Sequence, residues 1–162
     1  MKNNAEIVII GGGVIGCAIA YNLADKGVKD IVVLEKNYIA SGSTGSCGAG
    51  IRQQWGTKMN CLLSRKSMEI FENMNEILDT KRDIELKQGG YLLLAYSKRE
   101  LDQFKENIKL QHSLNIPSEL LTVKEAKEIV PQLNTEGVTG AAFCPTDGHA
   151  NPFRVNQAYM EA

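Results

Sequence analysis

Residues 6–35 contain the feature that most limits what this chain can fold into. An apolar strand predicted at Glu6–Ile10 leads into the turn Gly11-Gly-Gly13-Val-Ile-Gly16, a helical stretch follows, and a second strand is predicted at Asp30–Glu35. Near-continuous runs of Ile, Val and Leu are typical of parallel strands that are covered on both faces. Gly27 is expected to end the helix as its C-cap. The order therefore predicts a parallel strand–helix–strand unit.

Each glycine of this turn has a physical role in a dinucleotide-binding unit. Gly11 allows a tight turn, Gly13 lets the backbone approach a pyrophosphate, and Gly16 lets the helix lie against the strand. The free N–H groups at the helix start then face the phosphates. Glu35 follows Gly16 by 19 residues, close to the ~20 expected for the acid that bonds the ribose hydroxyls, and its charge disfavours NADP. The alternative is a glycine turn in an ordinary α/β unit without a ligand.

A second glycine-rich segment runs over Ser41–Gln54. It contains four glycines and four hydroxyl residues. Small residues let backbone N–H groups reach a ligand, and hydroxyl groups donate to phosphates. A flexible surface linker is the alternative interpretation. The Trp55 that follows is unusual in a linker, so we favour a ligand-binding loop.

The middle of the chain predicts a helix and a hairpin. Thr57–Asp79 has the apolar periodicity of one long amphipathic helix, with Met59, Leu62 and Leu63 on its apolar stripe. The apolar segments Ile84–Leu86 and Tyr91–Ala95 flank two glycines and predict a β-hairpin.

Capping signals mark three later helices. Two capping boxes and one Asn cap followed by proline are found at Ser97 with Glu100, Thr122 with Glu125, and Asn151 with Pro152. A short strand is predicted at Gly140–Phe143 and a turn at Thr146–Gly148. We expect His112 near a helix end and His149 at the surface, neither of them catalytic.

Composition excludes several classes of protein. The 162 residues carry a net charge of −1, which gives no support for a nucleic-acid surface. No apolar run approaches a membrane span, and no leader sequence is evident before the first strand. Four cysteines without a Cys-x-x-Cys pair, with only two histidines, argue against a metal site or a disulfide framework. We therefore expect a cytoplasmic, reduced protein with buried cysteines.

Three stretches of the chain carry a resemblance to a known family. They are Ile9–Gly16 with Leu34–Lys36, Ser41–Gln54, and Cys144–Pro152. In these stretches the chain resembles the FAD-dependent amine and amino-acid oxidoreductases of the D-amino-acid-oxidase superfamily. It is most similar there to sarcosine oxidase β subunits and to the β subunit of dye-linked L-proline dehydrogenase.

The resemblance implies an α/β fold with a Rossmann-like FAD-binding core, followed by the start of a β-rich substrate domain. The implied domains are 1–80 for FAD binding, 81–145 for the first part of the substrate domain, and 146–162 for a helix that returns to the FAD-binding domain. Arg52 is implied to contact the substrate carboxylate or the flavin. The residues implied to bind FAD are Gly11, Gly13, Val14, Ile15, Gly16, Glu35, Lys36, Ser41, Ser43, Thr44, Gly45, Gly50, Ile51, Arg52 and Gln53.

The implied reaction oxidises the C–N bond of a small amino acid, such as sarcosine, proline or glycine, by hydride transfer to the flavin. A non-catalytic nucleotide-binding or assembly subunit, and an NAD-binding Rossmann domain, are the alternatives. Family members are more than twice as long as this chain. The resemblance therefore implies a truncated chain that is inactive alone and needs a C-terminal portion or other subunits.

Overall fold

The computed structural model describes residues 4–162, which form two compact units. Unit 1 contains the described residues up to Gly50, Phe71–Leu86 and Ala150–Ala162. Unit 2 contains Ile51–Ile70 and Lys87–His149. The predicted functional domains (1–80, 81–145 and 146–162) divide the chain by role rather than by compactness, and they stay predictions.

Residues 4–162 contain both helices and strands. In order, they are β1 (Ile7–Ile10), α1 (Val14–Asp25), β2 (Ile31–Leu34), β3 (Gly50–Ile51), α2 (Lys58–Glu72), α3 (Met74–Ile77), β4 (Tyr91–Ala95), α4 (Lys98–Ser113), β5 (Glu119–Leu121), α5 (Val123–Ile129), β6 (Gly140–Cys144), β7 (Gly148–His149) and α6 (Pro152–Glu161). None of the helices over residues 4–162 combines the length and apolar character that a bilayer crossing requires.

Unit 1 contains the predicted strand–helix–strand unit. β1 and β2 are parallel and in register from Ile7 opposite Ile31 to Ile10 opposite Leu34. Gly27 has a left-handed φ of +91° directly after α1. The N–H groups of Gly27 and Val28 donate to the carbonyls of Ala24 and Leu23, which is the Schellman arrangement. The fold class and the helix stop predicted from the sequence are confirmed.

The predicted single helix over Thr57–Asp79 is wrong. The segment forms α2 and α3, separated by Asn73, whose φ of −112° and ψ of 20° are not helical. The predicted stripe is also wrong at its start, because Met59 and Leu63 are exposed. The buried face of α2 is set instead by Cys61 and Met68, which are seven residues apart and share one side of the helix.

The predicted hairpin is wrong as well. Tyr91–Ala95 forms β4, but it pairs in an antiparallel sense with Gly140–Cys144, and β5 pairs with the other edge of that strand. Ile84 belongs to unit 1, where its carbonyl accepts the Asn151 N–H at 2.9 Å. The two glycines do not reverse the chain, because Lys87 pairs with His149 and Tyr91 with Cys144 in the same antiparallel sense. They contain no information about which distant strand β4 will join.

Unit 2 is built on the three-stranded sheet β4–β6–β5. The small side chains of β6 allow α4 to pack closely, since a Cβ at Gly140 would meet the side chain of Leu101. Cys61, Ile116 and Cys144 form a buried cluster, and Trp55 packs against it.

The predicted caps of the three later helices are found. The Thr122–Glu125 capping box is complete. Ser97 Oγ accepts the Glu100 N–H, while the Glu100 carboxylate returns to the N–H of Tyr96. Asn151 Oδ1 caps α6 by accepting the N–H groups of its second and third residues.

The two histidines lie where the sequence predicts them. His112 is in the last turn of α4, and its ring Nε2 is 2.6 Å from the carbonyl of Ser118. His149 is exposed in β7. Burial of cysteines is confirmed for Cys17, Cys61 and Cys144, but Cys47 is exposed.

Candidate cofactor site

The turn between β1 and α1 is shaped by glycines at two positions. Gly11 has a φ of +109°, which suits glycine, and its N–H donates to Leu34 O at 2.7 Å. A Cβ on Gly16 would overlap the carbonyl oxygen of Gly11. The predicted tight turn and the predicted close approach of helix to strand are therefore confirmed.

The start of α1 leaves several backbone donors unsatisfied. Gly13 is the N-cap residue and supplies no side-chain cap. Within residues 4–162, the N–H groups of Gly13, Ile15 and Gly16 have no hydrogen-bond partner, as expected for the first turn of a helix. These donors and the positive end of the helix dipole suit an anionic group such as a diphosphate.

The glycine-rich loop contributes one side chain to this helix start. Thr44 Oγ1 accepts the N–H of Val14 at 3.0 Å, and a Cβ on Gly13 would lie 3.0 Å from the same oxygen. Thr44 thus supplies the cap that Gly13 lacks. Gly13 leaves just enough room for the threonine hydroxyl beside the helix end.

Glu35 holds the turn from the end of β2. Its two carboxylate oxygens accept the N–H of Asn37 at 2.9 Å and the N–H of Gly12 at 2.8 Å. These two donors, Asn37 first, hold the pKa of Glu35 below its usual value. The carboxylate is therefore ionised at neutral pH. Its contact with a ribose stays a prediction.

Gly12 and Asn156 are the residues of this site that the sequence analysis did not identify. The carbonyl of Gly12 accepts the N–H of Ala40 at 3.0 Å and the side-chain amide of Asn156 on α6 at 3.0 Å. Gly12 is a variable position of the glycine motif. Asn156 lies 144 residues away along the chain, so no local pattern indicates the pairing.

The first part of the glycine-rich loop is held by its own backbone hydrogen bonds. The N–H of Ser41 donates to Tyr38 O, and the N–H of Gly45 donates to Ala40 O. A Cβ on Gly45 would also collide with the ring of Phe153. This ordering favours the ligand-binding interpretation over a flexible linker. The predicted site residues that are solvent-exposed around this turn and loop are Ile15, Lys36, Ser43 and Gly50.

The end of the predicted loop lies in unit 2. Ile51 is half-buried there, and the guanidinium carbon of Arg52 is 4.0 Å from the centroid of the Trp55 ring. The indole N–H of Trp55 donates in turn to Arg52 O at 3.0 Å. The arginine is therefore oriented by a cation–π contact.

Gln53 is buried, and its neighbours were not predicted from the sequence. Asp147, with no exposed surface, accepts the backbone N–H of Gln53 at 2.8 Å and the side-chain amides of Gln53 and Gln54 at 3.2 and 3.1 Å. Burial raises the pKa of Asp147, and the hydrogen bonds only partly oppose that effect. The sequence analysis assigned Asp147 only to a turn.

The described residues contain no group of three His, Cys, Asp or Glu side chains placed to hold a metal ion. The chemistry available in unit 1 is that of unsatisfied backbone donors and an ionised carboxylate. The chemistry in unit 2 is that of an oriented guanidinium.

Comparison with known proteins identifies relatives over nearly the whole chain. The family model described as FAD dependent oxidoreductase matches residues 6–162. Among solved structures, L-proline dehydrogenase from P. horikoshii is 42% identical with a TM-score of 0.88 over 98% of this chain. Glycine oxidase from Bacillus cereus is 28% identical with a TM-score of 0.79, also over 98%. Mitochondrial dimethylglycine dehydrogenase of Homo sapiens is 32% identical over 97% of this chain.

The relatives are much longer than the chain described. It spans 41% of the proline dehydrogenase chain, 43% of the glycine oxidase chain and 18% of dimethylglycine dehydrogenase. The similarity therefore concerns one portion of each relative.

Proposed function

Because the chain belongs to the family of FAD-dependent oxidoreductases, we propose that it binds FAD and takes part in oxidising the C–N bond of a small amino acid. The observation that carries this proposal is the set of unsatisfied N–H groups at the start of α1, next to a turn that Glu35 holds. The substrate class is supported by similarity to enzymes named for proline, glycine and dimethylglycine.

In this proposal the diphosphate of FAD is bound by the turn Gly11–Gly16, including the backbone of Val14 and Ile15. Glu35 accepts hydrogen bonds from the adenosine ribose, with Lys36 beside it. The loop residues that line the cofactor are Ser41, Ser43, Thr44, Gly45, Gly50, Ile51, Arg52 and Gln53. Thr44 Oγ1 keeps accepting the N–H of Val14 while its O–H donates to a phosphate oxygen, because a hydroxyl is both donor and acceptor.

Arg52 is proposed to contact the substrate carboxylate or to border the flavin. Its planar fork can bind a carboxylate through two parallel hydrogen bonds. The stacking on Trp55 limits the orientations that the fork can adopt. FAD, when bound, supplies the electron acceptor for the hydride that leaves the carbon next to the amine nitrogen.

Cofactor identity is tested by titrating the native protein with FAD and with NAD, each followed by calorimetry. We expect saturable binding of FAD with one site per chain, and binding of NAD that is at least 100-fold weaker. Tight NAD binding without FAD binding would instead support the NAD-binding alternative.

Catalysis is tested by anaerobic addition of sarcosine, L-proline or glycine to the FAD-loaded native protein, with D-glucose as the control. Bleaching of the oxidised flavin bands by one amino acid and not by glucose is the expected result. Stoichiometric FAD with no bleaching by any amino acid would support a non-catalytic binding or assembly subunit.

We also propose that the protein is cytoplasmic, that it needs further chain or other subunits, and that 1–80, 81–145 and 146–162 are its functional domains. Fractionation of the native host locates the protein. Purification under native conditions, followed by mass spectrometry, identifies any further polypeptide in the active assembly.

A further inference from the structure

The carbonyl group of Gly12 is held from two sides. Its oxygen accepts the N–H of Ala40 and the Nδ2 amide of Asn156, both at 3.0 Å. A carbonyl oxygen has two lone pairs, which suit these two N–H donors. The thiol of Cys17 adds a longer contact, with its Sγ 3.7 Å from the same oxygen. The N–H of Gly12 is held as well, by Glu35 at 2.8 Å. The orientation of this part of the turn is therefore determined by three separate segments of unit 1.

The Gly12 carbonyl and the Gly13 N–H belong to one planar peptide group. In a trans peptide these two bonds point in opposite directions, and the described chain contains no cis peptide. Because Asn156 holds the Gly12 oxygen toward the buried side, the Gly13 N–H must point the other way. Gly13 and Ile15 are among the donors at the start of α1 that have no partner within residues 4–162.

Burial of Asn156 is unfavourable for folding if the side chain only fills space. It has no exposed surface, and its Oδ1 has no hydrogen-bond partner. A buried acceptor without a donor opposes folding, whereas an aliphatic side chain of similar volume would have no such atom. The amide orientation is fixed by its neighbour, because an oxygen facing the Gly12 oxygen would be repelled.

We propose that Asn156 is a positioning residue for the cofactor diphosphate, acting through the peptide between Gly12 and Gly13. This inference rests on the proposed FAD-binding function. Asn156 thereby gives α6 a role in cofactor affinity without itself contacting a phosphate. Loss of the amide donor leaves the Gly12 carbonyl with the Ala40 N–H and the weaker Cys17 thiol contact. The peptide then has more freedom to rotate, and the Gly13 N–H no longer points at the phosphate in most molecules.

The first test compares Asn156→Ala with Asn151→Ala, using FAD and ADP as probes in calorimetry and the melting temperature of the cofactor-free protein as a second readout. Both variants weaken α6, but Asn151 contacts its own helix start and Glu85, not Gly12. We expect Asn156→Ala to raise both dissociation constants about tenfold, the effect of one lost hydrogen bond. We expect Asn151→Ala to lower the melting temperature with dissociation constants within about twofold of wild type.

A second variant separates a lost donor from a general loss of packing. Asn156→Asp places a carboxyl group at the same position, which donates to the Gly12 carbonyl only when protonated. ADP binding by Asn156→Asp should therefore strengthen as the pH falls from 7.5 to 5, beyond any change seen with wild type. At pH 5 Asn156→Asp should bind ADP more tightly than Asn156→Ala. If protonation only removed the negative charge and restored no hydrogen bond, the two variants would bind ADP equally.

The outcomes distinguish this inference from the proposed function. If wild type binds neither FAD nor ADP, the proposed function fails. If wild type binds both, and Asn156→Ala binds them equally well or Asn156→Asp at low pH only matches Asn156→Ala, the positioning role of Asn156 is overturned.

Discussion

Glu35 in unit 1 and Asp147 in unit 2 do the same structural work with opposite electrostatic consequences. Glu35 accepts two backbone N–H groups and Asp147 accepts one. Each carboxylate thereby holds a segment that the sequence assigns to the cofactor site. Glu35 is partly solvated, and its donors lower its pKa. Asp147 is fully buried, and burial raises its pKa in spite of three donated hydrogen bonds.

The difference shows that the number of hydrogen bonds does not decide the charge state of a carboxylate. Desolvation disfavours the ionised form, and hydrogen bonds to that form favour it. Near the surface the hydrogen bonds dominate. In the interior the loss of water dominates. The partly solvated carboxylate at the glycine turn can therefore stay ionised, whereas the buried one is better suited to organising a loop.

The largest expected effect removes the turn that Glu35 holds. Gly16→Ala places a Cβ where the carbonyl oxygen of Gly11 lies, and neither backbone segment can move without separating α1 from β1. We expect a loss of more than about 3 kcal/mol in the free energy of unfolding, measured by urea titration. Gly42→Ala is the matched control, because its Cβ meets nothing within 4 Å. Equal stability of the two variants would show that the close approach is not required.

The next largest effect is expected at the buried carboxylate. Asp147→Ala leaves the buried backbone N–H of Gln53 without an acceptor. The side-chain amides of Gln53 and Gln54 each lose one of two acceptors. We expect a loss of about 2–3 kcal/mol in the free energy of unfolding. Asn134→Ala is the control, since Asn134 also accepts a backbone N–H but is exposed. If both variants lose the same stability, burial does not set the importance of Asp147.

The pH dependence of stability should have opposite signs at the two carboxylates. A carboxyl group whose pKa is lower in the folded state stabilises the fold when the pH is above its unfolded pKa. The contribution of Glu35 is therefore lost as the pH falls below about 4.3. The raised pKa of Asp147 means that the folded state binds the proton more tightly. Its contribution is therefore fully present below about 3.9 and is lost as the pH rises through the folded value.

Urea midpoints of wild type, Glu35→Gln and Asp147→Asn between pH 3 and 7 measure these two contributions separately. The stability difference between wild type and Glu35→Gln should shrink as the pH falls. As the pH falls, the stability of wild type should rise relative to that of Asp147→Asn. Two slopes of the same sign would contradict the comparison.

The smallest effect is expected at the contact between Arg52 and the Trp55 ring. Arg52→Lys keeps the positive charge but loses the planar group that lies 4.0 Å from the Trp55 ring. We expect a loss of less than about 1 kcal/mol in stability. Trp55 is the only tryptophan, so its fluorescence reports the contact directly. An emission spectrum unchanged in both Arg52→Lys and Arg52→Met would mean that the stacking is not populated in solution.

The part of the site that could be predicted from the sequence is the part whose partners are close in sequence. Gly11, Gly16 and Glu35 follow from a fixed spacing, because one strand–helix–strand unit brings them together whatever the rest of the chain does. The caps at Thr122 and Asn151 were equally predictable, since a capping side chain bonds its own helix start.

Residues with distant partners could not be predicted in this way. Asp147 contacts Gln53 across 94 positions and Asn156 contacts Gly12 across 144, and a single sequence contains no periodicity at such distances. The incorrect hairpin at Tyr91–Ala95 has the same cause, because its partner Gly140–Cys144 lies beyond any local turn signal. Asn73 interrupts the long helix through backbone angles that an average propensity does not predict.

The double attachment of the Gly12 carbonyl also has a consequence for the order of events in folding. Its first donor, Ala40, can arrive as soon as a segment of 28 residues has closed, whereas Asn156 requires a loop of 144. Closing the longer loop costs about 1.5 kcal/mol more in chain entropy. On a ribosome the glycine turn emerges before α6, and its last hydrogen bond forms only after α6 has been synthesised. The turn is thus the earliest part of the site to be made and the last to be finished.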